Sequence, residues 1–330
     1  MNMPSSAALL DQACRTARRA LLTGPMFPDG DSIGACLAMA HGLRLRHPDL
    51  LVDVAGDISF RYAWMPGADQ ILPDDQIRGD YDLAIVLDGD QRRLEPPVKA
   101  AFQRATVKGI VDHHSSTTPE GYDLVMLDHH AASTCEMVYA VLKQWGIPLD
   151  PDLASLLYTG LIFDTGGFRH SNTTAETHRF AAALLDTGIN HAPINVRVLM
   201  ERRPQGLKLL GRVLERAEFL ADGRVIFGVV DLETCDALGC AHADVEGIVD
   251  SMVFTHGVEL ACLCVEKGPG LVKLSLRSRE QIDVADLARQ LHPSGGGHPR
   301  AAGVMLRRSL TELKRWLTER LSAAILRAAG

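Results

Sequence analysis

The feature that most constrains this chain is a recurrence in its first 190 residues. Short apolar runs end in acidic residues, and helical patterns follow them. Leu83–Leu87 runs directly into Asp88, and residues 107–111 run directly into Asp112-His113-His114. Another apolar run, residues 21–27, ends in Pro28-Asp29-Gly30-Asp31, and Leu51–Ala55 is a further strand candidate. Helical periodicity covers residues 32–46, 133–145, 151–163 and 174–187. Strands alternating with helices predict an α/β fold with a mostly parallel sheet flanked by helices. In such sheets the ligand sits at the carboxyl ends of the strands, where these acids fall.

The character changes after residue 194. Residues 195–218 read as a helical linker between a first domain, 1–194, and a second, 219–330. The second shows strand patterns at 224–230, 258–265 and 271–276, with helices near 243–252 and 284–291. This predicts a smaller α/β unit. A glycine-rich loop, Ser294-Gly295-Gly296-Gly297-His298, precedes a closing helix, Leu310–Ala328.

Composition excludes some classes of protein. A hydrophobic fraction of 46% and a charged fraction of 23% belong to a globular chain, not a disordered one. No stretch approaches the ~18 consecutive apolar residues of a membrane span. The N-terminal segment mixes Arg and Asp into an apolar period and reads as an amphipathic helix, not a leader. The seven cysteines include no Cys-x-x-Cys pair, and Cys262 and Cys264 fall on one face of one strand. Reduced core thiols and a cytoplasmic location are expected. A net charge of −7 without a basic run disfavours long nucleic acid as a partner. A small phosphorylated ligand stays open, because a few arginines and a metal suffice to hold it.

Asp29 and Asp31 flank one glycine. On an extended loop, alternate residues project the same way, so both carboxylates would face one pocket. Asp88, Asp112, His113 and His114 end strands, and Asp164 ends a helix. Crowded carboxylates repel one another, and divalent cations are the simplest compensation. A carboxylate-rich set with an occasional imidazole suits Mn²⁺, and Mg²⁺ also, better than Zn²⁺ or copper. A second Asp-His-His, Asp128-His129-His130, precedes a helix whose N-cap is Ser133 or Thr134, with Glu136 in its first turn. That pair reads as loop histidines.

Taken in order, these segments resemble the DHH phosphoesterases, and within them the DHH–DHHA1 family of nanoRNases and pAp phosphatases. The similarity runs from about residue 21 to residue 306. Pro28-Asp29-Gly30-Asp31-Ser32-Ile33-Gly34 looks like the first motif and Leu87-Asp88 like the second. Asp112-His113-His114 looks like the third, and Asp164-Thr165-Gly166 with Phe168-Arg169 like the fourth. Ser275-Leu276-Arg277-Ser278 and Gly295-Gly296-Gly297-His298-Pro299-Arg300-Ala301-Ala302-Gly303 resemble the two DHHA1 signatures.

The resemblance implies two Mn²⁺ ions per chain. Asp31, Asp88, His113 and Asp164 would hold one, Asp29 and Asp88 the other. His114 would assist at the phosphate and Asp112 would orient the histidines. Arg277 and His298, with Ser275 and the backbone at Gly296 and Gly297, would bind a terminal phosphate of the substrate. The implied substrates are short oligoribonucleotides, 3′-phosphoadenosine-5′-phosphate, or both; cyclic or linear dinucleotides are an alternative. A homodimer is also implied.

Two positions depart from the family pattern, Ser294, where the family often has a fourth glycine, and position 25. The family has a metal-binding His four residues before Asp29; here that residue is Pro25, and neither Gly24 nor Met26 can replace an imidazole. The expected consequence is a weakened first metal site with retained, metal-hungry activity. The competing readings are a one-metal enzyme and a nucleotide-binding protein without catalysis.

Overall fold

The computed structural model describes residues 3–328 and divides into two compact units that meet in sequence between Glu201 and Arg202. The break falls within the predicted connector 195–218, which is therefore shared between the units. Met1 and Asn2, the start of the predicted amphipathic helix, lie outside the described residues.

The first unit runs α1 (Met3–Thr16), β1 (Arg19–Thr23), α2 (Gly30–Arg46), β2 (Leu51–Ala55), β3 (Ile71–Leu72), β4 (Leu83–Leu87), α3 (Pro96–Arg104), β5 (Val107–Asp112), β6 (Leu124–Leu127), α4 (Thr134–Gln144), α5 (Pro151–Asp164), α6 (Ala175–Leu185) and α7 (His191–Leu199). Among the described residues its strands form one six-stranded sheet in the order β3-β2-β1-β4-β5-β6. Every pairing is parallel. The chain leaves β1 to build β2 and β3 on one side, then returns to place β4 on the other. This reversal makes a crevice at the carboxyl ends of β1 and β4.

The central strands are apolar on both faces, as a covered parallel sheet requires. In β4, Leu83, Ile85 and Leu87 join the core beneath α2, α4 and α5. Ala84 and Val86 face the opposite core, with Val98, Ala101 and Phe102 of α3. Helix α2 is buried at 13 of its 17 residues, so it is held from all sides rather than along one stripe.

β1 is shorter than the apolar run 21–27 suggested. It stops at Thr23, because Gly24 and Pro25 follow and proline offers no N–H to a sheet ladder. Phe27 then adopts a left-handed backbone, φ 58°.

The second unit runs α8 (Pro204–Glu215), β7 (Glu218–Leu220), β8 (Val225–Val230), α9 (Leu232–Leu238), α10 (Ile248–Val253), β9 (Leu260–Gly268), β10 (Leu271–Ser278), α11 (Val284–Leu291), β11 (Gly296–His298), β12 (Ala301–Leu306) and α12 (Leu310–Ala328). Its described strands order β11-β12-β10-β9-β8-β7, antiparallel except for β8 with β9. One face packs on α11 and α12 and contains both Cys262 and Cys264. The other, with Ala261, Leu263 and Val265, packs on α8 and α10. All seven cysteines are free thiols.

Two predictions for this unit need correction. The helix expected at 243–252 is a 3₁₀ turn, His242–Asp244, and then α10; Gly247 at φ 74° separates them. The glycine-rich segment is not all loop: Gly296–His298 is an edge strand paired with β12. Gly297 has φ 134°, and a Cβ there would lie 2.4 Å from the Ala301 carbonyl oxygen, so only glycine permits this pairing.

Candidate functional site

At the crevice beside β1, Asp29 and Asp31 do not lie on an extended loop. Asp29 is the N-cap of α2, and its Oδ1 accepts from the amides of Asp31 and Ser32. Asp31 sits in the first turn and is fully buried. Its carboxylate accepts from the amides of Thr134 at 2.6 Å and Cys135 at 2.9 Å, so it satisfies the start of α4. A Cβ on Gly160 would come within 2.4 Å of Asp31 Oδ1 and of Cys135 Sγ. Glycine at that point of α5 is what lets the acid reach the helix terminus.

Asp88 follows β4 with φ 62°, a left-handed conformation rare for residues with a side chain. Thr134 Oγ1 donates to Asp88 Oδ1 at 3.2 Å. His113, just past β5, places Nε2 2.9 Å from Asp164 Oδ2, 3.6 Å from Asp88 Oδ1 and 4.0 Å from Asp31 Oδ2. One ligand atom from each of Asp31, Asp88, His113 and Asp164 lies within 4.8 Å of all the others.

The electrostatics match the geometry. Burial, then the neighbouring carboxylates Asp164 and Asp29, push Asp31 above the usual carboxylate range against the pull of His113. Burial, then Asp31, does the same to Asp88. Burial alone would lower the His113 pKa, but Asp164, Asp31 and Asp88 raise it well above normal.

The donor set fits a hard divalent cation. His113 Nδ1 lies 3.1 Å from the Ala131 carbonyl oxygen and can only donate there. Its Nε2, the atom facing the carboxylates, would give up its proton to a metal and offer the lone pair in its place. The buried carboxylates of Asp31 and Asp88 and the partly buried one of Asp164 otherwise repel one another, and a cation removes that cost.

Asp112, His114 and Thr117 form a second layer. Asp112 Oδ1 lies 2.7 Å from His114 Nδ1 and also accepts from the His113 amide at 2.9 Å. Thr117 Oγ1 donates to its other oxygen. Burial works to raise Asp112, but the bond to His114, its charge and Thr117 hold the carboxyl down at about 2. In return, burial that would lower His114 is overcome by Asp112, and its pKa is raised.

Asp29 belongs to none of the close ligand groups among the described residues. Pro25 lies beside Gly89, the residue after Asp88: a Cβ on Gly89 would sit 3.3 Å from the proline ring. An imidazole at position 25 would therefore neighbour Asp88. His129 and His130 are exposed loop residues after β6, and His129 Nδ1 approaches the His113 carbonyl oxygen at 3.3 Å. Ser133 is the N-cap of α4 and Glu136 closes back on the Ala132 amide.

In the second unit, Ser275 and Arg277 alternate on the half-buried face of β10. Ser275 registers with Gly303, which registers with Gly296; Arg277 registers with Ala301, which registers with His298. The structure thus brings Ser275, Arg277, Gly296 and His298 to one face. Gly297 registers with Ala302 and Leu276 and so belongs to the alternate positions. Arg277 Nε donates to Asp250 Oδ1 of α10 at 2.7 Å.

Sequence reasoning missed Asp250, Thr117, and Thr134 as a partner of both Asp31 and Asp88. It also missed Asn172, whose side chain donates to the Asp164 and Ala132 carbonyls. Only Thr134 had a local signal, the helix start around Ser133.

Buried carboxylates and a histidine converge at the switch point of a doubly wound domain, and a second α/β unit with an arginine–histidine face follows it in the chain. Residues 19–161 match the family described as DHH family, N-terminal domain, and residues 224–325 match the DHHA1 domain. The chain belongs to the DHH–DHHA1 phosphoesterase family.

Its relatives include the bifunctional oligoribonuclease and PAP phosphatase NrnA of Thermus thermophilus, 28% identical over 283 residues, covering 85% of this chain and 82% of the relative. The NrnA of Bacillus subtilis is 25% identical over 287 residues, covering 84% and 86%. An exopolyphosphatase-related protein from Bacteroides fragilis shares the fold, with a TM-score of 0.87, 23% identity and coverage of 99% and 98%. No helix among the described residues is long and apolar enough to cross a membrane.

Proposed function

We propose that this chain hydrolyses phosphate esters of small nucleotides, namely short oligoribonucleotides and 3′-phosphoadenosine-5′-phosphate, with Mn²⁺ as its metal. The observation that carries the reading is the close set of Asp31, Asp88, His113 and Asp164. The names of the NrnA relatives supply the substrate class. The same reading puts the protein in the cytoplasm, in keeping with its free cysteines.

Asp31, Asp88, His113 and Asp164 would hold one metal. Asp88 and Asp29 would hold a second, with Asp29 also capping α2 through Oδ1. When bound, divalent metals supply Lewis-acid polarisation of phosphoryl oxygens and a more acidic water. The chain's own residues do the rest. Asp112 fixes the His114 ring through Nδ1 and favours its protonated form, so the ring's other nitrogen can donate a proton to the leaving oxygen. Asp250 orients the Arg277 guanidinium, which with Ser275 and His298 binds a substrate phosphate.

The test is hydrolysis of both substrates by the purified protein while Mn²⁺ is titrated from trace to millimolar. Turnover that saturates only at high Mn²⁺ is expected, because Pro25 offers no ligand. Absence of turnover at every concentration, with nucleotide still bound, would leave a binding protein instead.

A further inference from the structure

Three of the four proposed metal ligands are held by one short segment, residues 131–135. The Ala131 carbonyl oxygen accepts from His113 Nδ1 at 3.1 Å. The amides of Thr134 and Cys135 hold Asp31, and Thr134 Oγ1 donates to Asp88. Asp164 arrives from another element, the end of α5. Its distance from the other three ligands depends on what ties α5 to this segment. Asn172 makes such a tie. Its Nδ2 donates to the Ala132 carbonyl at 2.9 Å and to the Asp164 carbonyl at 3.2 Å.

We propose, on the reading that Asp31, Asp88, His113 and Asp164 hold a metal, that Asn172 is a positioning residue of that centre. It joins the end of α5 to segment 131–135 and so sets the separation of Asp164 from the other three.

Three features support this role. First, both partners of Nδ2 are carbonyl oxygens, which only accept, so the surroundings fix which way the amide faces. Its two N–H bonds then meet two different segments. Second, the Asp164 carbonyl lies in the last turn of α5, where oxygens lack a partner within the helix. The chain turns back to meet it. Gly166, Gly167 and Phe168 have φ of 56°, 69° and 65°, and His170 Nδ1 lies 3.0 Å from the same oxygen. A left-handed backbone is unfavourable for phenylalanine and persists only where contacts beyond it hold it. Asn172 makes two of those contacts. Third, the tie controls both ends of one ligand contact. His113 Nε2 lies 2.9 Å from Asp164 Oδ2. Ala132 neighbours the residue that orients the His113 ring, and Asp164 carries the carboxylate itself.

The test uses the intact protein. Equilibrium Mn²⁺ binding is read from the paramagnetic resonance signal of the free ion, and amide hydrogen exchange is read in EDTA. Asn172→Ala should weaken Mn²⁺ binding about tenfold, with the nucleotide KM at saturating Mn²⁺ unchanged. Asn172→Leu fills the space without a donor and should lose as much. Val98→Ala thins the core on the opposite face of the sheet and lowers stability without touching the centre. It should keep the parent's Mn²⁺ affinity. In EDTA, the Thr134 and Cys135 amides should exchange severalfold faster, relative to the Ile85 amide, in both Asn172 variants and not in Val98→Ala. Parent-like Mn²⁺ affinity in either Asn172 variant would overturn this role, as would an equal loss in Val98→Ala. If the parent binds no Mn²⁺, the metal reading fails. Exchange then still decides the positioning role: acceleration confined to the Asn172 variants upholds it, and unchanged exchange overturns it.

Discussion

The two units handle charge in opposite ways. In the first, like charges are buried among one another: Asp31 and Asp88 are almost inaccessible, beneath helices packed from several sides. In the second, Arg277 and Lys273 lie half-buried on one sheet face, with small residues such as Gly303 and Ala301 on the neighbouring strand. A buried like-charged cluster holds a fixed cation at a fixed place, whereas a half-open basic face suits a ligand that arrives and leaves. The difference teaches which unit should respond to substitution through turnover and which through substrate affinity.

The strongest break of this comparison is Asp88→Ala, which removes a ligand proposed for both metals. Single-turnover hydrolysis with saturating Mn²⁺ should fall at least about a thousandfold, in line with losing a group that orients reacting atoms. Near-parent rates would sink the dinuclear reading. Next comes Asp112→Asn. It leaves the shape but removes the charge that keeps His114 protonated, so kcat should drop about a hundredfold. The basic limb of the pH–rate profile should also move to lower pH; an unmoved limb would deny His114 its role as acid.

In the other unit, Arg277→Gln should act on KM, raising it about tenfold with kcat nearly kept, as expected for a lost charge-assisted bond. A fall in kcat instead would mean that the basic face contributes to the chemistry.

The charge contrast should also appear in stability. In the metal-free protein Asp31 is pushed up to about 7 and Asp88 to about 8, so the folded state holds protons that the unfolded state has released above about pH 4. Stability from these groups is present at low pH and lost as pH rises through 7 to 8. The melting advantage of Asp88→Asn over the parent should therefore grow from about pH 4 to about pH 8. Lys267 is shifted the other way, to about 8, so stability is gained as pH rises from 8 towards the ordinary lysine value. The advantage of Lys267→Gln should shrink over that range. Parallel slopes for the two variants in calorimetry would contradict the contrast.

The smallest expected effect is that of Pro25→His, which should tighten Mn²⁺ binding severalfold, because position 25 lies beside the turn after Asp88. An unchanged titration in a folded variant would count against placing the weakened metal site beside position 25.

The sheet and its acidic edge were legible because short apolar runs that stop at Asp88 and Asp112 alternate with helical patterns, as strands of a parallel sheet do. Asp88, His113 and Asp164 stood out at element ends, but their grouping with Asp31 was implied by the family resemblance and not by the ends themselves. What was not legible depended on distant partners. Nothing near Asp31 announces that Thr134 and Cys135, a hundred positions away, will donate to it. Asp29 looked like a loop ligand because an N-cap and a metal ligand use the same carboxylate. The strand at Gly296–His298 was hidden because glycine carries no side chain to show a two-residue period.

The junction of Asp31 with the start of α4 has a spectroscopic consequence. The amide protons of Thr134 and Cys135 point at the two oxygens of Asp31, which would be a ligand of the metal. Their chemical shifts should follow metal loading, and a paramagnetic ion such as Mn²⁺ should erase both signals. Two backbone resonances would then report how full the centre is, in solution, without any substrate present.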